Sequence, residues 1–230
     1  AQLYDGGRYH NFKDFIKFPT LGKTHLLNPI QEHIPHPDID GTRSILNKLK
    51  TKDVLLYFPY HSFDYFLDLL REAAIDPNVS HIRVTLYRVA NQSHVIKSLI
   101  TALHNGKDVT VFIEIRARFD EEANLDWATK LRDAGAKVIP GISGLKVHSK
   151  LCLITRREKG AKVYYACIGT GNLHEKTARI YTDAMLLTCN QTLTKEARLL
   201  FSFFDKNYSV PKFNHLLVAP FNLRSKLKTL

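Results

Sequence analysis

Val138-Ile139-Pro140-Gly141-Ile142-Ser143-Gly144-Leu145-Lys146-Val147-His148-Ser149-Lys150-Leu151-Cys152-Leu153-Ile154 is where the chain changes its construction, and the fold turns on its reading. Upstream, apolar runs alternate with helical patterns. Residues 82–87 read as a strand, and 93–104 as a helix closed by Gly106. Residues 109–115 follow as a strand, then 120–134 as a helix with acids in its first turn and Gly135 after its end. Val138-Ile139 is a short fourth strand. Such alternation means βαβ units and a parallel sheet. A parallel crossover takes about a dozen residues or more, yet only residues 141–145 precede the apolar run 146–154. The chain must therefore reverse there.

The polar stretch 156–162, with Gly160, then reads as a hairpin turning into residues 163–168. Residues 181–188 form a further strand and 192–204 an amphipathic helix. On the N-terminal side, residues 44–50 predict a short helix and Val54 to Phe58 a buried strand stopped by Pro59. Ser62 is placed to cap a helix running through Phe66, Leu67, Leu70 and Ala74. The expectation is an α/β fold, a mixed sheet of about six to seven strands flanked by helices. Residues 1–40, with Pro29, Pro35 and Pro37 and little periodicity, read as the tail of a preceding domain or a linker. The regular unit spans 41–212, and 213–230 begin a following domain.

A hydrophobic content of 44% and an aromatic content of 10% mark a folded protein rather than a disordered one. No apolar run approaches the roughly 18 residues that span a bilayer. Cys152, Cys167 and Cys189 sit among strand-like apolar neighbours without metal-type spacing, as small buried hydrophobes of a reducing compartment do. The net charge of +11 is uneven. Residues 53–140 hold 10 Lys/Arg against 12 Asp/Glu, 141–190 hold 8 against 3, and 191–230 hold 7 against 2. The basic surplus begins at the His-Ser-Lys stretch. It suits a polyanion, although an ordinary solvated basic surface gives the same count.

On an extended strand, residues two apart share a face, so His148 and Lys150 would present an imidazole beside an ammonium. A ring nitrogen can attack phosphorus while the cation neutralises the oxygens. The topology brings more to the same place. Arg88 ends the second strand and Arg116-Ala117-Arg118 follow the third, at the carboxyl edge where open α/β sheets bind ligands. The reversal starts the next strand at that edge, and the hairpin returns Gly169-Thr170-Gly171-Asn172 to it. Arginine's planar fork donates two parallel bonds to a phosphate, and a Gly-rich turn lets backbone N–H groups approach an anion. Each has a plainer account: Arg88 could pair with Glu114 or Glu121, Arg118 with Asp120 or Glu122, and the glycines could simply turn the chain. Asp120-Glu121-Glu122 serve as helix N-terminal charge or, alternatively, recruit Mg²⁺.

Leu86-Tyr87-Arg88-Val89-Ala90, Ala117-Arg118-Phe119-Asp120-Glu121-Glu122-Ala123-Asn124, Val147-His148-Ser149-Lys150, Ile168-Gly169-Thr170-Gly171-Asn172 and Lys176-Thr177-Ala178-Arg179-Ile180-Tyr181-Thr182-Asp183 together resemble the large ATP-dependent bacterial polyphosphate kinase family, almost end to end. The resemblance implies a phospholipase D-like domain, the first of two in a longer enzyme. It also implies reversible transfer of the ATP γ-phosphate to inorganic polyphosphate through a phosphohistidine. Carried over by motif, His148 is the phosphorylated nucleophile, and Lys150 and Asn172 bind phosphate. Arg88 and Arg118 match a magnesium–phosphate site and Tyr181 a nucleotide-contacting position. Since arginine ligates cations poorly, contact is expected through the phosphate oxygens of a Mg²⁺-bound substrate. The implied partners are ATP/ADP, polyphosphate, the remaining domains of the enzyme and a homo-oligomeric mate, with no specific nucleic acid. The implied location is cytoplasmic or peripheral at the inner membrane, and the isolated chain is expected to transfer phosphate poorly or not at all.

Two departures bear on this. Thr155 stands where a phospholipase D pattern places an Asp, which weakens the competing reading as a phosphodiesterase. Cys167 stands where relatives often carry a His. A non-enzymatic basic module is the third reading, and the aromatic-basic stripe suited to stacking bases is absent.

Overall fold

In a computed structural model, which describes Phe15 and residues 18–29, 31–90, 92–115, 117, 121–142 and 144–229, seven strands form one mixed sheet. They are β1 (Val54–Phe58), β2 (Val79–Leu86), β3 (Asp108–Ile113), β4 (Lys137–Pro140), β5 (Lys150–Glu158), β6 (Ala161–Gly169) and β7 (Asp183–Thr188), in the spatial order β1-β7-β6-β5-β2-β3-β4. The described residues up to 32 form a separate small unit, and the sheet belongs to the unit of residues 33–230. The helices are α1 (Ile45–Leu49), α2 (Asp64–Ile75), α3 (His94–His104), α4 (Glu121–Asp133), α5 (Gln191–Asp205) and α6 (Leu223–Leu227).

Strands β2, β3 and β4 run parallel, as βαβ units require, and every other pairing is antiparallel. The reversal after β4 does occur, but residues 141–149 carry the chain back across β3 and β2, and β5 pairs with β2 rather than with β4. β1 lies at the far edge against β7, with Val54 opposite Leu187. The connection between β5 and β6 is tighter than residues 156–162: Glu158 pairs with Ala161, and Lys159 and Gly160 make the turn at φ 47° and 82°. Two consecutive positive φ angles match the right-handed twist of the strands.

Alternation along the strands produces two core layers. Val84, Cys152, Ile154, Tyr165 and Leu187 face α2, α3 and α4, while Phe112, Leu151, Leu153 and Ala166 face α5. Each large apolar side chain sealed in these layers contributes roughly 1.5–3 kcal/mol. Cys152 and Cys167 are buried free thiols, and Cys189 is half-buried. Ser44 and Ser93 cap α1 and α3 through Asn47 N and Ile96 N. For α2, the helix is counted from Asp64 behind Phe63, whose backbone is already α-helical, and Ser62 Oγ accepts from Asp64 N at 3.1 Å, two residues ahead, as a capping hydroxyl does.

Phe213 and Phe221 pack into the α5 layer. Glu196 on α5 holds this return segment by accepting from the backbone N–H groups of Asn214, His215 and Leu216 at 2.7–3.1 Å. No described helix is long and apolar enough to cross a membrane.

Candidate active site

The strand directions send the carboxyl ends of β1, β2, β3, β4 and β6, and the starts of β5 and β7, to one rim. Lys150, the first residue of β5, pairs with Gly169, which pairs in turn with Met185. On the other flank Thr85 ties β2 to the start of β5. Its hydroxyl donates to Ser149 O at 2.7 Å and accepts from Leu151 N at 2.9 Å. Tyr87 and Arg88 are thereby brought level with His148.

His148 precedes β5 instead of lying on it, so the expected side-by-side pair is built differently. The Lys150 side chain is buried, at 7% exposure, whereas His148 is exposed. Lys150 Nζ donates to the backbone O of His148 at 2.5 Å and sits 5.1 Å from the centroid of the Tyr87 ring. That ring meets the His148 imidazole edge-on, 4.6 Å between centroids and 76° between planes. Lys146 Nζ also lies over Tyr87, at 5.7 Å. A groove of about 570 Å³, lined by Leu145, Leu151, Phe203, Leu216 and Phe221, opens beside His148 and Lys150.

The electrostatics follow from this crowding. Burial first, then the charges of Lys150, Lys146 and Arg88, hold the His148 imidazole below its ordinary pKa. Burial brings Lys150 down to about 8, against the pull of Asp183 and with a further push from Arg88. A neutral imidazole carries the lone pair a nucleophile needs, and the cations around it wait for an anion. Among the described residues neither Lys146 nor Lys150 has a carboxylate within ion-pair distance.

Gly169-Thr170-Gly171-Asn172 reaches the rim, and Thr170 is already engaged within the fold. Thr170 N donates to Ala184 O at 3.0 Å, and Thr170 Oγ1 donates to Asp183 Oδ1 at 2.8 Å. Gly171 serves a close approach: a Cβ there would fall 2.2 Å from Asp183 Oδ2. The amide Oδ1 of Asn172 is buried without a hydrogen-bond partner. Tyr181 lies two residues before β7, 62% exposed, and not on the strand. Arg116 and Arg118 fall outside the described residues, as does Asp120. The rim thus gathers His148, Lys150, Asn172 and Arg88 of the expected set.

Tyr87, Lys146, Asp183 and Asn124 escaped sequence reasoning. Asn124 is fully buried in α4, and its Nδ2 donates at 2.9 Å to both Tyr87 O and Glu114 O, pinning the ends of β2 and β3 together. Only the nearness of Tyr87 to Arg88, and of Asp183 to Tyr181, could have pointed to any of them.

The fold and the rim have a family. The family model described as "Polyphosphate kinase C-terminal domain 1" matches residues 44–210. The chain belongs to the polyphosphate kinase family. It is 51% identical to a polyphosphate kinase of Vibrio parahaemolyticus over 225 residues, covering 98% of this chain and 32% of that protein. The crystal structure of the Porphyromonas gingivalis polyphosphate kinase superposes with a TM-score of 0.83 at 36% identity, over 96% of this chain and 37% of that one. The chain thus spans about a third of the length of the polyphosphate kinases it matches. Nuc, a phospholipase D family member of Salmonella typhimurium, superposes with a TM-score of 0.52 at 16% identity over 72% of this chain and 99% of that one, and shows the phospholipase D-like fold.

Among the described residues, no group of three or more His, Cys, Asp or Glu side chains is placed to hold a metal. The rim's donors are chiefly cationic. Cationic donors of this kind suit phosphate oxygens better than a metal ion.

Proposed function

We propose that this chain carries one catalytic half of an ATP-dependent polyphosphate kinase, in which His148 is the group that becomes phosphorylated. The observation that carries the reading is geometric: the exposed His148 imidazole stands 4.6 Å from the Tyr87 ring, over which Lys150 Nζ and Lys146 Nζ lie at 5.1 and 5.7 Å. Burial, together with these cations and Arg88, favours its neutral form. In the forward reaction a ring nitrogen attacks the γ-phosphorus. The N–P bond forms as the bond to the bridging oxygen breaks, and ADP leaves with that electron pair. A terminal oxygen of polyphosphate then attacks the same phosphorus and frees the imidazole. Lys150 and Arg88 neutralise the transferring oxygens, Asn172 contacts them, and Arg118 and Tyr181 are assigned to phosphate and nucleotide by motif. Mg²⁺ travels on the nucleotide, shielding phosphate charge.

The chain spans about a third of the length of the polyphosphate kinases it matches. The full-length protein is the one to assay. Given ATP and Mg²⁺, it should build polyphosphate, run in reverse with ADP, and lose both activities in His148→Ala. Phosphodiester hydrolysis without ATP would favour the phosphodiesterase reading instead, and salt-sensitive nucleic-acid binding indifferent to His148 would favour the basic module.

A further inference from the structure

We infer that Tyr87 is the positioning residue of this site: its ring is the wall against which the His148 imidazole and the ammonium groups of Lys146 and Lys150 are held. The inference rests on the phosphotransfer reading above and deepens it. Three contacts converge on one ring: the edge-on imidazole at 4.6 Å, Lys150 Nζ at 5.1 Å and Lys146 Nζ at 5.7 Å. An aromatic ring offers a negative face to cations and a positive edge to other rings, so these contacts attract by the same quadrupole.

Lys150 Nζ is also tied to the His148 carbonyl, but neither ammonium group has a carboxylate partner among the described residues, so the Tyr87 ring is the contact that the two share. Without it, like charges would spread into solvent, and the exposed imidazole would lose its fixed orientation. The backbone that carries the ring is itself held, since Asn124 Nδ2 donates to the Tyr87 carbonyl at 2.9 Å while also donating to Glu114 O. The phenol oxygen makes no hydrogen bond among the described residues, so the role belongs to the ring and not to the hydroxyl. Tyr87 does not touch the phosphorus in this account. It sets where the nucleophile and two cations stand, and it covers one side of the imidazole.

The test uses the full-length enzyme with Tyr87→Leu, Tyr87→Met and Tyr87→Phe, reading kcat and the pH profile of histidine phosphorylation by ATP. Loss of the ring in Leu or Met should lower kcat about ten- to a hundredfold, the scale of a misplaced reacting group. The same change hydrates the imidazole and loosens the neighbouring cations, and both effects raise its pKa. The acid limb should therefore move to higher pH in Leu and Met. Tyr87→Phe should restore kcat to within about twofold of the parent and return the limb. Met keeps the bulk of the side chain, so the aromatic contribution is read even if Leu fails to fold.

An unmoved acid limb in Tyr87→Met, or Phe as impaired as Met, overturns the positioning role. If His148→Ala labels as well as the parent, the phosphotransfer reading fails instead, whatever the Tyr87 variants do.

Discussion

Lys150 keeps an ammonium in a nearly buried position, and burial brings its pKa down to about 8. Below that pH the group is a cation beside His148 and Tyr87, and above it the charge is lost. In the proposed reaction His148 has the opposite requirement: it would attack only when neutral, and its lowered pKa keeps it neutral to more acidic pH than a free histidine. Histidine phosphorylation should therefore follow a bell, with an acid limb below the ordinary histidine value and an alkaline limb near pH 8 when phosphate is not saturating. Lys150→Gln should cut the rate about a hundredfold and remove the alkaline limb, measured by rapid-quench labelling across pH. A surviving limb near pH 8 would assign it to another group.

Gly171 belongs to the same scale. Any Cβ there displaces the Asp183 side chain, which accepts from Thr170 Oγ1 and whose charge Lys150 feels. Gly171→Ala should cost about 1–3 kcal/mol of stability by chemical denaturation, the range of overpacked sites. The spacing of the two glycines advertised a turn, but nothing in the sequence told that one of them makes room for a carboxylate.

At the scale of elements, Glu196 carries the attachment of 213–222 to α5. Burial works to raise its carboxyl pKa, but the backbone bond from Leu216, the His215 ring and the Asn214 and His215 amides prevail and set it at about 2. A carboxylate depressed in the folded state stabilises it fully above its ordinary value near 4.5. That contribution is lost as pH falls toward 2. Glu196→Gln should remove about 2 kcal/mol at neutral pH, and the deficit should shrink below pH 4 as the parent loses the same interaction. A deficit independent of pH would mean that the amide geometry, not the charge, fixes this segment. Sequence reading took the chain from Phe213 as irregular, because the apolar partners of Phe213 and Phe221 lie on α5 and its sheet layer, out of reach of any local pattern.

The same limit separates what was legible in the elements from what was not. Helix caps, alternation and the Lys159-Gly160 turn are local signals, and they placed the helices and the hairpin well. The start of β5 was read four residues early, since Lys146 to Ser149 continue the polar–apolar alternation without a strand to pair with. The seat of β1 at the far edge depends on β7, 125 or more residues downstream, and no period in the sequence encodes it.

Across the whole molecule, the two ends of the sheet treat charge differently. Away from the rim, Arg156 is held at 2.7 Å by Asp76 and 2.9 Å by Glu158, and Lys50 and the Tyr165 hydroxyl complete a satisfied network. At the rim, Lys146 and Lys150 face Tyr87 and His148 without an ion-pair partner among the described residues. One end neutralises its charges internally, and the other leaves two ammonium groups for the anion of the proposed reaction. The rim itself could be read from strand direction alone, because parallel strands and one reversal fix which residues share an edge. The cation–ring cluster could not, since Lys146 and Lys150 reach Tyr87 only through the β2–β5 pairing.

The most direct measurement is the location of phosphate in the full-length enzyme quenched during turnover with ATP and Mg²⁺, mapped by tandem mass spectrometry under alkaline conditions. The account predicts phosphate on the imidazole of His148, absent in His148→Ala and discharged when polyphosphate is added. Phosphate found on a different residue, or polyphosphate synthesis undiminished in His148→Ala, would contradict it.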